Sequence, residues 1–168
     1  MRRKICREQI FRLLFQVEFN DKEDYPYLNE RMKSFGEFTL EPDEEEYVEA
    51  KFEKITEHIE EIDEVLNENS IDWKTSRMGK AELAILRLAY YEMVYDDDIP
   101  ESVAINEAVE LAKKYGPEES YSFVNGVLAK CAKTQDKHRE AIQKKDKTKP
   151  WKETGEARIV VKGSKTKK

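Results

Sequence analysis

The chain has 168 residues, enough for one domain with its own core; a fold of this size buries roughly 70% of its unfolded surface and needs no metal or disulfide staple. Charged residues make up 39% of it and apolar residues another 39%, with only 6 Gly and 5 Pro, against about 25% charged in an average soluble domain. This is the profile of a soluble, helix-rich protein, and the longest apolar runs, 13–15 and 83–86, are far short of a membrane span. The net charge of −6 is unevenly spread: +4 over residues 1–16, −14 over 20–72 and +7 over 134–168. Acidic faces repel polyanions and attract basic proteins, while basic ends can hold a phosphate backbone locally. Cys6, Cys131, His58 and His138 form no CxxC or Cys/His cluster. Zinc is therefore excluded on ligand count, and free thiols are expected in a reducing, cytoplasmic compartment. The basic N-terminus lacks a following apolar region, so no secretory signal is expected.

Ile10, Leu13, Leu14 and Val17 share one helical face and predict a helix over 2–19. Phe11, Phe15 and Phe19 add a second stripe, as in a helix packed on two sides. Asn20 and Asp21 stop it. A short helix over 25–35 follows, opened by Pro26 and closed by Gly36 at its C′ position. Asp43 with Glu46 forms a capping-box pair for the next helix, whose Glu-rich first turn suits the helix dipole. Val48, Phe52, Ile55, Ile59, Ile62 and Leu66 carry it as one long amphipathic helix to about 67–70.

Residues 73–78 form a helical turn, with Gly79 as the break. The helix over 80–95 is apolar on nearly every side from Ala84 to Tyr91 apart from Arg87, which makes it the central one. A bare charge there is strongly unfavourable, so Arg87 is expected to pair internally, with Glu107 as its partner. Ser102 caps the helix over 103–115, and Gly116-Pro117 stops it. Ser120 or Ser122 caps a last helix through Phe123, Val124, Val127, Leu128 and Cys131. Beyond Lys133 the apolar period fades: helix persists to about Gln143, and the Lys-rich remainder is a flexible tail in which 158–162 is a strand without a partner. The reading is all-α, about seven helices in one compact domain, with a domain over 1–133 and a basic tail over 134–168.

Asp96, Asp97 and Asp98 lie on one open loop and cannot all face a single ion. Glu57, His58 and Glu61 lack the paired Glu-x-x-His of a di-iron bundle, and Ser120 and Ser122 have no neighbouring His. No metal site, catalytic residue or cofactor is expected. The cluster Arg2, Arg3, Lys4 and Arg7 can neutralise phosphates by counterion release; a solvated basic terminus has the same composition. Phe123 is either a core residue at the edge of its helix stripe, which the periodicity favours, or a ring face offered to an unpaired base.

Residues 80–128, KAELAILRLAYYEMVYDDDIPESVAINEAVELAKKYGPEESYSFVNGVL, resemble the NusB transcription antitermination family. The specific parts are residues 84–91 with Glu92, then Ile99-Pro100, then 103–113, then Ser120 with Phe123-Val124-Asn125-Gly126-Val127-Leu128. RRKICREQIFRLLFQVEF near the N-terminus and IDWKTSRMG also fit, so the resemblance spans about 2–133. It implies two roughly perpendicular three-helix bundles, over 2–69 and 70–133. It further implies a non-enzymatic, RNA-binding factor that takes single-stranded boxA RNA of rRNA transcripts together with NusE, a small-subunit ribosomal protein, in the transcription elongation complex. On this resemblance Arg2, Arg3, Lys4 and Arg7 hold the RNA backbone, Phe123 stacks on a base, and Glu119 lies beside the RNA. Glu82 and Phe15 match the contact with NusE. Glu119 also reads as a solvated helix-start residue, and Glu82 as a favourable charge at a helix N-terminus. Family members commonly carry Tyr where this chain has Phe15, and the basic extension is longer than the family pattern. Two other classes fit the same composition: a protein-only helical adaptor, and a relative of the front domain of rRNA cytosine methyltransferases.

Overall fold

Every residue from Leu83 to Met93 is buried, and a helix that is apolar all round can satisfy itself only at the centre of others. The computed structural model describes residues 1–33, 39–70 and 73–147, with side chains through Gln135. Its α-helices are α1 (Arg3–Val17), α2 (Leu28–Met32), α3 (Pro42–Glu57), α4 (Ile59–Glu68), α5 (Lys80–Val94), α6 (Glu101–Tyr115) and α7 (Ser120–Lys147), with short 3₁₀ helices at Lys22–Tyr27 and Thr75–Arg77. No strand occurs among the described residues, and no helix among them is long and apolar enough to cross a membrane. Packing separates Met1–Ala132 from Lys133–Lys168. Within the first unit, α5 packs against α1, α3, α4 and α6, and Val124, Val127, Leu128 and Cys131 of α7 are buried in the same core. The expected Gly36 cap, the flexible tail beyond 147 and the strand over 158–162 fall outside the described residues. The last helix extends to Lys147, past the expected end near Gln143.

The long helix expected from one apolar stripe is two helices. The stripe is continuous, with Val48, Phe52, Ile55, Ile62 and Leu66 all buried, but the backbone breaks at His58. There the imidazole Nδ1 lies 2.8 Å from the Lys54 carbonyl, and the His58 N–H bonds instead to the Ile55 carbonyl at 3.0 Å. A side chain that takes a ladder acceptor bends or ends a helix. The predicted caps also move. The capping box joins Glu41 to Glu44, not Asp43 to Glu46; Pro42 occupies the first helical position, where its missing N–H is not needed, and this places the cap two residues before the expected Asp43. Ser102 lies inside α6, because the Pro100 carbonyl already accepts from the N–H groups of Val103 and Ala104. Gly116 does end α6, and a Cβ there would lie 2.5 Å from the Ser120 hydroxyl oxygen, so only glycine lets α6 and α7 meet so closely.

Arg87 is an internal anchor, but its partner is not Glu107. Its Nε and Nη2 donate to the two Asp63 carboxylate oxygens of α4 at 2.9 and 2.7 Å, and Nη1 donates to Glu18 at 2.9 Å. Periodicity marked Arg87 as needing a partner but carried no information on which neighbouring helix faces it. Glu107 serves α1 instead, accepting from Arg7 at 3.2 Å. A second buried network gathers on Glu92, which accepts from Arg7 at 3.1 Å and from Lys51 at 2.7 Å. Lys51 also pairs with Asp96 at 3.1 Å, so the acidic loop residue Asp96 is a structural counter-ion. These charges tie α1, α3, α5 and α6 together. Cys6 and Cys131 are both free and buried, and burial pushes the Cys131 thiol up to about 12.

Candidate nucleic-acid interface

The basic N-terminus divides into two kinds of cation. Arg2 forks onto Glu44, with Nε and Nη2 at 3.0 and 2.6 Å from its carboxylate oxygens, and its backbone N–H adds a third bond at 2.8 Å. Hydrogen bonds from Arg2 hold the Glu44 carboxyl down at about 2. Arg7 donates to both Glu92 and Glu107, and its side chain is only 10% exposed. Arg3 is exposed. Lys4 is 81% exposed and approaches Glu107 only at 3.7 Å. Within the cluster Arg2, Arg3, Lys4 and Arg7, the open cations are Arg3 and Lys4, while Arg2 and Arg7 are paired with carboxylates and pin the start of α1. A guanidinium already neutralised by carboxylates releases little counterion.

A cleft of about 320 Å³ brings together Glu82, Glu119, Ser120 and Phe123 with Trp73 and Arg77. Glu82 lies in the first turn of α5, Glu119 immediately precedes α7 and Phe123 lies in its first turn, and Trp73 and Arg77 come from the segment between α4 and α5. The Ser120 hydroxyl donates to Glu82 at 2.9 Å. This interaction between the starts of two helices uses the hydroxyl that sequence reasoning assigned to capping. Glu119 is exposed, and Phe123 is half-buried at the edge of the core. Phe123 packs against the core on one side and lines the cleft on the other.

Phe15 lies elsewhere, in an apolar groove of about 270 Å³ with Phe11, Met32, Ala81 and Tyr115. The second stripe of α1 turns gradually outward: Phe11 is buried, Phe15 half-buried, and Phe19, beyond the helix end, is 60% exposed. The Phe15 and Phe19 rings pack at 5.3 Å. Ala81 lines this groove while its neighbour Glu82 lines the other cleft, so Phe15 and Glu82 occupy two depressions that meet at the first turn of α5.

Sequence reasoning did not identify Trp73 and Arg77 as lining residues, nor Glu92 and Lys51 as a buried pair. Lys51 carried a signal, since it falls on the Val48–Phe52–Ile55 stripe where a solvated lysine does not belong. Glu92 carried another, at the end of the all-apolar stretch of α5. Trp73 had no periodic context, and nothing in its local sequence indicated that its ring faces α7.

The NusB family model matches residues 4–133. The transcription antitermination protein NusB of Agathobacter rectalis is 52% identical over 134 residues, covering 79% of this chain and all of that protein. Among solved structures, T. maritima NusB superposes with a TM-score of 0.72 at 34% identity, covering 79% of this chain and 92% of that one. A crystal structure of the antitermination factors NusB and NusE in complex with double-stranded RNA matches with a TM-score of 0.63 at 26% identity, covering 76% of this chain and 92% of that one. The match runs through α1 to the buried part of α7 and includes both networks and both depressions, and the chain belongs to the NusB family of transcription antitermination proteins.

Proposed function

We propose that this protein is an RNA-binding antitermination factor that holds single-stranded boxA RNA of rRNA transcripts together with NusE at the transcription elongation complex. The observation that carries the reading is the cleft itself: a half-exposed aromatic, Phe123, beside the exposed carboxylate of Glu119 at a helix start. A single strand is read by splaying its bases onto aromatic faces and hydrogen-bonding their edges, and a carboxylate can accept from a base amino group. The likeness to a NusB–NusE–RNA complex supports the same reading. Arg3 and Lys4 supply open charge for the backbone, while Arg2 and Arg7 fix the position of α1. The segment 134–168, with a net charge of +7, adds sequence-independent attraction. The apolar groove at Phe15, with Phe19 packed on its ring and Glu82 next to it, is the surface for the basic ribosomal partner.

The test is titration of the purified protein, with and without NusE, against boxA-like and scrambled RNA. Tighter binding of the boxA-like strand, strengthened by NusE, is expected. Arg3→Ala with Lys4→Ala should weaken both RNAs alike and flatten the dependence of log affinity on log salt by about one per lost phosphate contact; truncation after Lys133 should flatten it further. Equal affinity for both RNAs with partner binding retained would identify a protein-only adaptor instead.

A further inference from the structure

The Phe123 ring also lines a second depression of about 340 Å³, bounded by Trp73, Ser122, Gly126 and Lys130. We propose that it receives a second unpaired base of the same RNA, stacked on the Trp73 indole, with the sugar–phosphate passing over α7 at Gly126. The proposal rests on the RNA-binding reading above.

Trp73 is 50% exposed, an unusual position for the largest side chain. It is held in place all the same: the buried Ser70 hydroxyl donates to its carbonyl at 2.6 Å, and the Arg77 guanidinium lies 5.8 Å from the ring centroid. Two residues on, the Thr75 N–H donates to the Asn67 side chain at 2.7 Å. A hydrogen-bonded backbone thus presents a half-open aromatic face backed by a cation, as a stacking platform requires. Arg77 itself lines the neighbouring cleft together with Glu82 and Glu119. Lys130 lines the α7 wall of the depression.

Gly126 is the independent observation. It lies inside α7, where glycine destabilises a helix relative to alanine. At Gly116 a Cβ would collide with its neighbours, but a Cβ at Gly126 would meet nothing within 4 Å. No packing reason within the described residues calls for glycine there. Its effect is to leave the α7 backbone bare opposite Trp73, and close approach of another molecule to a backbone is the remaining use of such a residue. A flat base between the indole and a bare helix wall fits that space.

The full chain is tested with three variants. Gly126→Leu fills the depression without strain, so the thermal midpoint should hold or rise while affinity for boxA-like RNA falls about 5- to 150-fold, the range for one lost base stack. Trp73→Ala should lose a similar factor, and Trp73→Phe should recover part of it. Trp73 and Trp151 are the two tryptophans, so in Trp151→Phe protein the Trp73 emission should be quenched by unlabelled RNA along the same curve as the binding isotherm. Wild-type affinity in both Gly126→Leu and Trp73→Ala, with no quenching, would overturn this inference and leave the RNA-binding reading intact. Loss of NusE binding in those variants with RNA affinity unchanged would assign the depression to the protein partner and overturn it as well. Failure of the wild type to bind any RNA would overturn both.

Discussion

Two glutamates on α5 have opposite fates. Glu92, near the end of the helix, is buried against Arg7 and Lys51, and Lys51 in turn reaches Asp96. Glu82, in its first turn, has a neutral hydroxyl, that of Ser120, on one oxygen and borders an open cleft. One helix therefore carries a site whose charges are saturated by the fold and a site whose polar groups are left for something else. Charge alone does not mark an interface; what matters is whether the protein already neutralises it. The same contrast separates Arg7 from Lys4 on α1.

The sharpest way to break this comparison is Glu92→Ala. It leaves Arg7 and Lys51 buried without their shared acceptor, and removing one member of a buried pair costs about 3–5 kcal/mol. Urea denaturation should show a loss of that size; a loss well under 1 kcal/mol would mean that water relieves the network and that it is not sealed. Phe123→Ala probes the opposite case. It should weaken boxA-like RNA by about 1–3 kcal/mol, weaken scrambled RNA less, and retain helix content by circular dichroism. Unfolding, or wild-type binding of both RNAs, would return Phe123 to the core alone.

A double-mutant cycle on Arg87→Met and Asp63→Asn compares a defined pair with one the structure does not form. Direct contact predicts a coupling of about 0.5–3 kcal/mol, and the parallel cycle with Glu107→Gln should give a value near zero. The smallest effect is expected at Arg2. Its hydrogen bonds hold Glu44 at about 2, below the ordinary 4.5. A carboxylate with a depressed folded-state pKa stabilises fully above its unfolded value and loses that contribution as pH falls through the folded one. The stability advantage of wild type over Arg2→Ala should therefore be constant above about pH 5 and shrink as pH approaches 2. A difference that does not change across this acid range would place the Arg2–Glu44 fork outside the folding equilibrium.

The all-α class, the centrality of α5, the stop at Gly116 and the need of Arg87 for a partner were all legible in the chain. Each depends on residue spacing along one helix or on a local backbone preference, and both are properties of short sequence windows. The break at His58 was not legible, because the apolar stripe runs through it and only an imidazole competing for a carbonyl interrupts the ladder. Nor were the partners of Arg87, Arg7 and Lys51. Periodicity gives the face on which a charge lies but not which helix will be opposite. The division of the basic cluster into pinned and open cations, and the meeting of Trp73, Phe123 and Gly126 at one depression, were decided when distant segments packed together, because exposure and neutralisation are properties of neighbours in space.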